Sequence, residues 1–429
     1  MANVTLMKRG SSWQYRFDVI NPEGKRTQIS KAGFKTKTEA REAGLEAMLA
    51  HRSSGVKPTS GKIFVTNYLD SWFADYCTTN PRYNTQIHHS RVLLRHIKPH
   101  LGNYLLEDLS PAVVQQFMLD LLKEGLSARY VREILAILSL ALESATNIYK
   151  NIPENPCKKV SIPKRLLNNT SRDRFFITPE DFKKILRKFD KHSPARIALL
   201  LGYFAGLRIG EVFALTWDDI DFNRRTLTVN KNAIQKAKDS KALDYISTQR
   251  PVTQTYGWYL GPTKTACSRR TIQISKYLLE ALKIHREIQE QNKEFFGDFY
   301  TIVYKKVEEE ANGDRLERLV EVEKGIPVIL KEANLICLDN YGKYFSYERF
   351  KKFNKVIREE LNIPFNFHSL RHTHASLLIQ EGASIKDVQE RLGHSNAMIT
   401  LKLYTHNTPK SKKKTLDILD NHSLEITDI

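Results

Sequence analysis

The spacing of apolar positions changes several times along this chain, and each change marks a new kind of element. Residues 4–10 and the run Trp13–Gln14–Tyr15–Arg16–Phe17–Asp18–Val19 read as two strands, the second because aromatic and polar residues alternate. Asn21–Pro22–Glu23–Gly24 is a turn signal, and Lys25 to Ser30 suggests a third strand. Thr38–Glu39–Ala40–Arg41 then opens a helix rich in Ala and Leu that ends near His51. The expectation is a three-stranded sheet packed on one helix over residues 1–52. Ser53 to Gly61 is rich in Ser and Gly and makes 53–62 a linker.

From residue 63 the period becomes helical. Tyr68, Leu69, Trp72, Phe73 and Tyr76 share one face. Ser110–Pro111 supplies a cap and a first-turn proline for a helix running to Lys123, with Gly125 beyond its end. Ser127 starts another helix, with Val131, Ile134, Leu135, Leu138 and Leu142 inward. Residues 63–152 therefore read as a helical bundle. Pro153, Pro156 and Pro163, with the basic run Lys158, Lys159, Lys164 and Arg165, mark a second linker over 153–174.

The third region, 175–429, mixes periods. Thr178–Pro179 and Ser193–Pro194 predict helix starts, Thr226 to Asn230 and Arg270 to Ile274 read as strands, and 235–260 reads as irregular. Two β-like runs flank Asn312–Gly313 within 299–345 and suggest a hairpin. Helices resume at Tyr347, Ser369 and Ile385. The expected fold class is multidomain and mainly α with small β-sheets, ending in a mixed α/β domain.

Charge narrows the function. The 429 residues hold 67 Lys and Arg against 48 Asp and Glu, a net +19 that calls for a polyanionic partner, nucleic acid first and acidic membrane second. Residues 1–62 alone carry 12 Lys and Arg against 5 Asp and Glu, a net +7. Cys77, Cys157, Cys267 and Cys337 are scattered and form no CxxC pair, which argues against a zinc knuckle or a disulfide framework. With no signal-length or membrane-length apolar run, a reducing cytoplasm is the expected location.

The chemistry-bearing residues fall late. Gly206–Leu207–Arg208–Ile209–Gly210–Glu211, Thr263–Lys264–Thr265, His368–Ser369–Leu370–Arg371–His372, Leu392–Gly393–His394 and Tyr404–Thr405–His406 follow one another in that order. Cutting a phosphodiester needs an in-line nucleophile, stabilisation of added charge on phosphorus, and a proton for the leaving oxygen. Arginine suits the second task because its fork spans two oxygens and stays charged. Arg208 and Arg371 are expected at helix starts, where N–H groups also favour anions. His368 and Arg371, three apart, would share a face. His368 and His372 at i,i+4 could instead chelate a metal. However, no Glu follows the first His and an arginine stands between them, so no metal site is expected.

This set resembles the tyrosine recombinase (phage integrase) family, over about residues 175–410, most like the integrases of conjugative transposons and temperate phages. The resemblance implies that Tyr404 attacks DNA to form a 3′-phosphotyrosyl link. It implies that Arg208, Arg371 and His394 stabilise the phosphorane, that Lys264 protonates the leaving 5′ oxygen, that His368 is an acid/base, and that Glu211 supports the arginines. For the lysine role, Lys236 and Lys238 compete with Lys264, whose Thr-Lys-Thr context, followed by Ser268 and Arg270, favours it. Ser369 stands where the family often has Asp. No cofactor or metal is implied, because the covalent link keeps the energy of the broken bond.

The bundle at 63–152 resembles the family's core-binding domain, and residues 1–52 resemble an arm-type DNA-binding domain whose strands enter the major groove. Candidate DNA contacts are Trp13, Tyr15, Arg16, Lys25, Arg26, Gln28, Arg82, Lys98, Lys158 and Lys159, with sheet packing the alternative for the two aromatics. The implied function is integration and excision of a mobile element. The implied partners are duplex attachment sites, three further copies in a homo-tetramer assembled on DNA from monomers, and an accessory DNA-bending or excision factor. A type IB topoisomerase-like enzyme, a metal nuclease and a non-catalytic DNA-binding protein remain as alternatives.

Overall fold

The computed structural model describes residues 5–9, 12–20, 26–40, 43–44, 62–80, 83–162, 175–237, 256–263, 265–309, 315–396 and 398. These fall into two compact units, up to residue 162 and from residue 175.

In the first unit, β1 (Thr5–Arg9), β2 (Ser12–Ile20) and β3 (Arg26–Phe34) form an antiparallel sheet in sequence order. Gln14 to Phe17 alternates as its pattern requires: Tyr15 and Phe17 are buried on one face, and Tyr15 lies against Phe17 and Phe34. Tyr15 is thus part of the sheet's packing, the alternative foreseen for the aromatics. Of the helix expected after Thr38, the described residues show helical backbone to Ala40 and at 43–44.

The helical part of this unit holds α1 (Val65–Thr79), α2 (Tyr83–Val92), α3 (Pro111–Lys123) and α4 (Ala128–Asn147). Ser110 and Ser127 accept hydrogen bonds from the N–H groups of Val113 and Tyr130, so both serine caps form. Val65, Tyr68, Leu69, Trp72 and Phe73 bury one stripe of α1 against Ala141, Leu142 and Ala145 of α4 in a shared core. Full burial of a side chain such as Leu69 contributes about 1.5–3 kcal/mol. The two polar aromatics in the stripe keep partners: the Tyr68 hydroxyl donates to Ala141 O at 2.6 Å and Trp72 Nε1 to Ser144 Oγ at 3.2 Å.

The second unit opens with α5 (Pro179–Lys188), capped by Thr178, and α6 (Pro194–Phe204). Ser193 occupies the cap position of α6, although its side chain makes no capping bond. Helix α6 is apolar nearly all round and is correspondingly buried. It is followed by the single turn α7 (Ile209–Val212) and the small sheet β4 (Ile220–Asp221) and β5 (Thr226–Val229), completed later in the chain by Arg270–Gln273.

The stretch expected to be irregular is partly a sheet: β6 (Lys231–Ala237) and β7 (Tyr256–Pro262) pair antiparallel, with Lys231 opposite Pro262. Gly257, Tyr259, Leu260 and Gly261 of β7 are all buried, so no polar–apolar alternation advertises the strand. Next come β8 (Arg270–Gln273) and α8 (Lys276–Phe296), a 21-residue helix capped by Ser275 that the pattern above leaves unassigned.

The hairpin predicted around Asn312–Gly313 is present as β9 (Thr301–Glu309) paired with β10 (Arg315–Glu323); its turn lies outside the described residues. With β11 (Lys331–Glu332) it extends the β6–β7 pair into a five-stranded sheet ordered β11-β9-β10-β7-β6.

Three helices follow: α9 (Tyr347–Glu359), α10 (Phe367–Gln380) and α11 (Ile385–Leu392). Helix α10 starts two residues before the expected Ser369, because the Asn366 side chain caps it by accepting the Ser369 N–H at 2.9 Å. Arg371 therefore lies in the second turn, not at a helix start. Helix α10 packs on α6 through Gly202, where a Cβ would come within 2.8 Å of Leu370 Cδ1. No helix among the described residues is long and apolar enough to cross a membrane.

Candidate functional site

Arg208 is the residue preceding α7, in extended conformation, and here the expected helix start is found. Its backbone N–H donates to Glu211 Oε2 at 2.9 Å, and its Nη1 to Glu211 Oε1 at 2.7 Å. Ser268 Oγ (3.3 Å) and Gly393 O (3.0 Å) accept from Nη1 and Nη2. Those bonds use three of the five guanidinium N–H groups, so two remain among the described residues. The side chain is 31% exposed, open enough to meet a ligand.

Glu211 is 3% exposed and serves three arginines. Besides Arg208, it takes the fork of Arg270, with Nη1 at 3.2 Å and Nη2 at 2.9 Å, and Arg371 Nη1 stands 4.0 Å away. Burial alone would raise its pKa, but the hydrogen bond and charge of Arg270, then the charge of Arg208, outweigh it and hold the carboxyl below its ordinary value. Three guanidiniums around one carboxylate leave a local charge of +2 by subtraction, poised for an anion. The pentavalent phosphorus of a phosphodiester under attack carries about two negative charges, which matches.

Arg371 is 2% exposed and is held by carbonyls at two glycine-rich turns: Nη1 donates to Gly206 O at 2.7 Å and Nη2 to Leu392 O. Burial, then the charge of Arg208, pushes its pKa down to about 9, which still leaves it charged at neutral pH. Gly206 has φ +66°, and a Cβ there would meet His374 Cδ2 at 2.5 Å.

The histidines of this region are held neutral. Burial lowers His394 to about 3, with the charges of Arg371 and Arg208 adding to it. His368 keeps part of its ring open to solvent, and it too is lowered, by crowding and then by Arg371 and Arg208. His374 is brought to about 3 by burial and then by Arg391. Its Nδ1 lies 2.9 Å from Tyr203 O and its Nε2 accepts from Arg391 Nε at 3.0 Å, so the proton of this neutral ring belongs on Nδ1.

Gly393 closes α11 in the left-handed conformation, φ +63°, as a helix-terminating glycine does. A Cβ at that position would sit 2.8 Å from Cys267 O and 3.1 Å from Ser268 Cα. The glycine therefore lets the turn that carries His394 lie directly against the loop after Lys264.

The structure thus brings together Arg208, Glu211, His368, Arg371 and His394. Lys264 and Tyr404 lie outside the described residues. Thr265, next to Lys264, is tied to the site through Ser268, their hydroxyls 2.9 Å apart. Of the lysines that compete for its role, Lys236 lies over the Tyr259 ring at 5.9 Å, and Lys238 is outside the described residues.

The DNA-contact candidates scatter. Arg16 is half-buried on β2 opposite Ser30, Gln28 is exposed on β3 opposite Asp18, and Arg26 stands opposite Ile20 in the register. Lys25 and Arg82 are outside the described residues. Lys98 pairs with Asp70 and is only 14% exposed, whereas Lys158 and Lys159 make exposed pairs with Glu143 at 3.0 Å and Glu154 at 2.6 Å. Ser268 and Arg270, which the sequence offers only as context for Lys264, are themselves members of the site. Their only signal is their place in the Ser268–Arg269–Arg270 run after Lys264.

Known proteins resemble this chain along most of its length. Residues 176–411 match the Phage integrase family, residues 4–48 an Arm DNA-binding domain, and residues 64–122 a Phage integrase, N-terminal SAM-like domain. A Tyrosine recombinase XerC-like protein of Caldanaerobacter subterraneus subsp. tengcongensis is 26% identical over 98% of this chain and 99% of that protein. The ICEBs1 integrase of Bacillus subtilis is 25% identical over 95% of each. Among solved structures, the Tn1549 transposon integrase in complex with a circular intermediate DNA superposes with a TM-score of 0.59 at 18% identity, covering 81% of this chain and 98% of that one. A lambda integrase dimer bound to a core site gives 0.53 at 17% identity over 93% of each. At such identities the superpositions speak for the fold.

Proposed function

The chain belongs to the phage integrase family and is a tyrosine-type site-specific DNA recombinase, and on that premise we propose how its residues divide the reaction. Tyr404 Oη attacks the scissile phosphorus, forming the tyrosyl–phosphorus bond as the bond to the 5′ oxygen breaks. Lys264 delivers the proton that the leaving oxygen takes up. Arg208 and Arg371 hold the non-bridging oxygens, with Glu211 fixing both guanidiniums. His394, neutral at working pH, donates a hydrogen bond rather than a charge, and neutral His368 accepts the tyrosyl proton. The reverse attack by a 5′ hydroxyl of a partner strand reseals the DNA and regenerates Tyr404.

The observation that carries this reading is the buried Glu211 with three arginines around it, two of which, Arg208 and Arg371, lie near enough for their charges to act on both His368 and His394. A non-catalytic DNA-binding protein has no use for buried, convergent positive charge of this kind.

In the same reading, residues 1–52 bind arm-type sites, 63–152 clamp the core site, and 175–429 form the catalytic domain with its tail, with 53–62 and 153–174 as linkers. Arg16, Lys25, Arg26, Gln28, Arg82, Lys98, Lys158 and Lys159 contact DNA. Lys98 must first leave Asp70 to do so, which makes it the weakest member. The protein acts in the bacterial cytoplasm as a tetramer on two duplexes, assembled from monomers with an accessory bending or excision factor, to integrate and excise a mobile element.

The test is recombination between two plasmids carrying the DNA that flanks the coding gene, with EDTA present and no ATP. Joined products are expected, since the retained bond energy and the arginines cover what a metal or nucleotide would supply. Loss of cleavage in EDTA would favour a metal nuclease. Relaxation of plasmid lacking those flanks, without recombinants, would favour a topoisomerase.

A further inference from the structure

A carboxylate offers about four acceptor positions, and those of Glu211 are all filled. Oε1 accepts from Arg208 Nη1 at 2.7 Å and Arg270 Nη1 at 3.2 Å; Oε2 accepts from the Arg208 backbone N–H and Arg270 Nη2, each at 2.9 Å. Arg270 thus holds the two-pronged side-chain pairing, and Arg208 is left with a single side-chain bond. The remaining Arg270 bonds run to main chain: Nε donates to Arg391 O at 2.6 Å and Nη1 also to Ser268 O at 2.9 Å. Four of its five N–H groups are engaged with protein partners, against two for Arg371, so Arg270 is committed to holding the site rather than a substrate.

We infer that Arg270 is a positioning residue of the cleavage site: by occupying the outer edge of Glu211 it keeps the Arg208 guanidinium turned toward the scissile phosphate. The inference rests on the recombinase reading above. Guanidinium and carboxylate prefer a bidentate pairing. Arg208 and Glu211 are three residues apart, and Arg270, together with the bonds of Arg208 to Ser268 Oγ and Gly393 O, keeps Arg208 from closing such a pair and withdrawing its two remaining donors. Arg270 acts on the other side of the site as well. Its bond to Arg391 O fixes the end of α11, two residues before the Gly393 carbonyl that holds Arg208 and three before His394. A lysine at 270 could satisfy one of these partners but not the fork and the carbonyls together.

The experiment measures covalent adduct formation in a single turnover on a nicked duplex cut from the DNA flanking the coding gene. Wild type, R270Q, R270K, E211Q and R270Q/E211Q are compared across pH, with melting curves and gel-shift affinity for each. R270Q is expected to form adduct about 100-fold more slowly, the usual cost of misplacing a reacting group, with affinity unchanged within about threefold.

Losing the Arg270 partner lets the Glu211 carboxyl take a proton more easily, so the acid limb of the rate moves up by about one pH unit. R270K is expected to fall between, and the double variant to be no slower than E211Q alone, because one mechanism is removed once. R270Q with wild-type rate and acid limb overturns the inference, as do losses for R270Q and E211Q that multiply. If R270Q has no cooperative melting transition, the same rate and limb are read from R270K, and a wild-type result there overturns it. A wild type that forms no adduct sinks the recombinase reading and this inference with it.

Discussion

Glu211 is the residue on which the site's charge balance turns, and its pH dependence has a definite sign. Its folded pKa lies below the 4.5 of a free glutamate. Its contribution is therefore fully present above about pH 4.5 and is lost as pH falls through the lower folded value. Replacing it with glutamine leaves Arg270 and Arg371 buried without a counter-charge, which costs about 3–5 kcal/mol. Urea unfolding should show Glu211→Gln less stable by about that much at pH 7, with the gap narrowing below pH 4.5; an unchanged gap would contradict the assignment. Arg371→Lys cannot reach both Gly206 O and Leu392 O, so single-turnover cleavage should fall at least about 100-fold with little change in DNA affinity. Arg208, His368, Arg371 and His394 were legible because each stands in a distinctive short motif. Arg270 was not, because Arg269 and Arg270 look alike in sequence. Only folding separates them, leaving Arg269 exposed and sealing Arg270 against Glu211.

At the scale of elements, the end of α11 is the most sensitive point. Gly393 combines φ +63° with a place only a glycine fits, against Cys267 O and Ser268. Gly393→Ala should cost about 1–3 kcal/mol of stability from backbone strain. It should also slow cleavage about tenfold or more, since the displaced carbonyl is a partner of Arg208 and His394 follows it. Melting temperature and adduct rate check both; a variant with wild-type values in each would show that the close approach is not needed. Elements with capping serines, threonines and prolines were readable in advance: α3, α4 and α5 start where their caps predict. Strands β6 and β7 escaped because β7 is buried on both faces and broken by Gly257 and Gly261, which erases alternation. Helix α10 was displaced by two residues because Asn366, not the serine of its His-Ser-Leu-Arg motif, provides the cap.

Across the whole molecule, buried and half-buried histidines among the described residues set the acid limit of stability. His285, His374 and His394 are all held below the 6.5 of free imidazole, the last two at about 3. The unfolded chain therefore takes up protons below about pH 6.5 that the folded chain refuses, so stability should fall from there downward. Melting temperature should drop by several degrees between pH 7 and pH 5; a flat profile would contradict the neutral assignments. The same neutrality predicts that His394 contributes a hydrogen bond across the working range, with no step in cleavage from its own titration between pH 6 and 8. The mainly helical plan with small sheets was legible from changes in apolar period. The long helix α8 and the reach of the five-stranded sheet were not, since they depend on pairing between segments distant in sequence. The central claim is that Tyr404 is the nucleophile this charged pocket serves. It is tested most directly by trapping the covalent complex on DNA flanking the coding gene and mapping the modified peptide by mass spectrometry. The account predicts a DNA adduct on Tyr404, and a Tyr404→Phe protein that binds the same DNA with no adduct. An adduct on another residue, or one that persists in Tyr404→Phe, would contradict it.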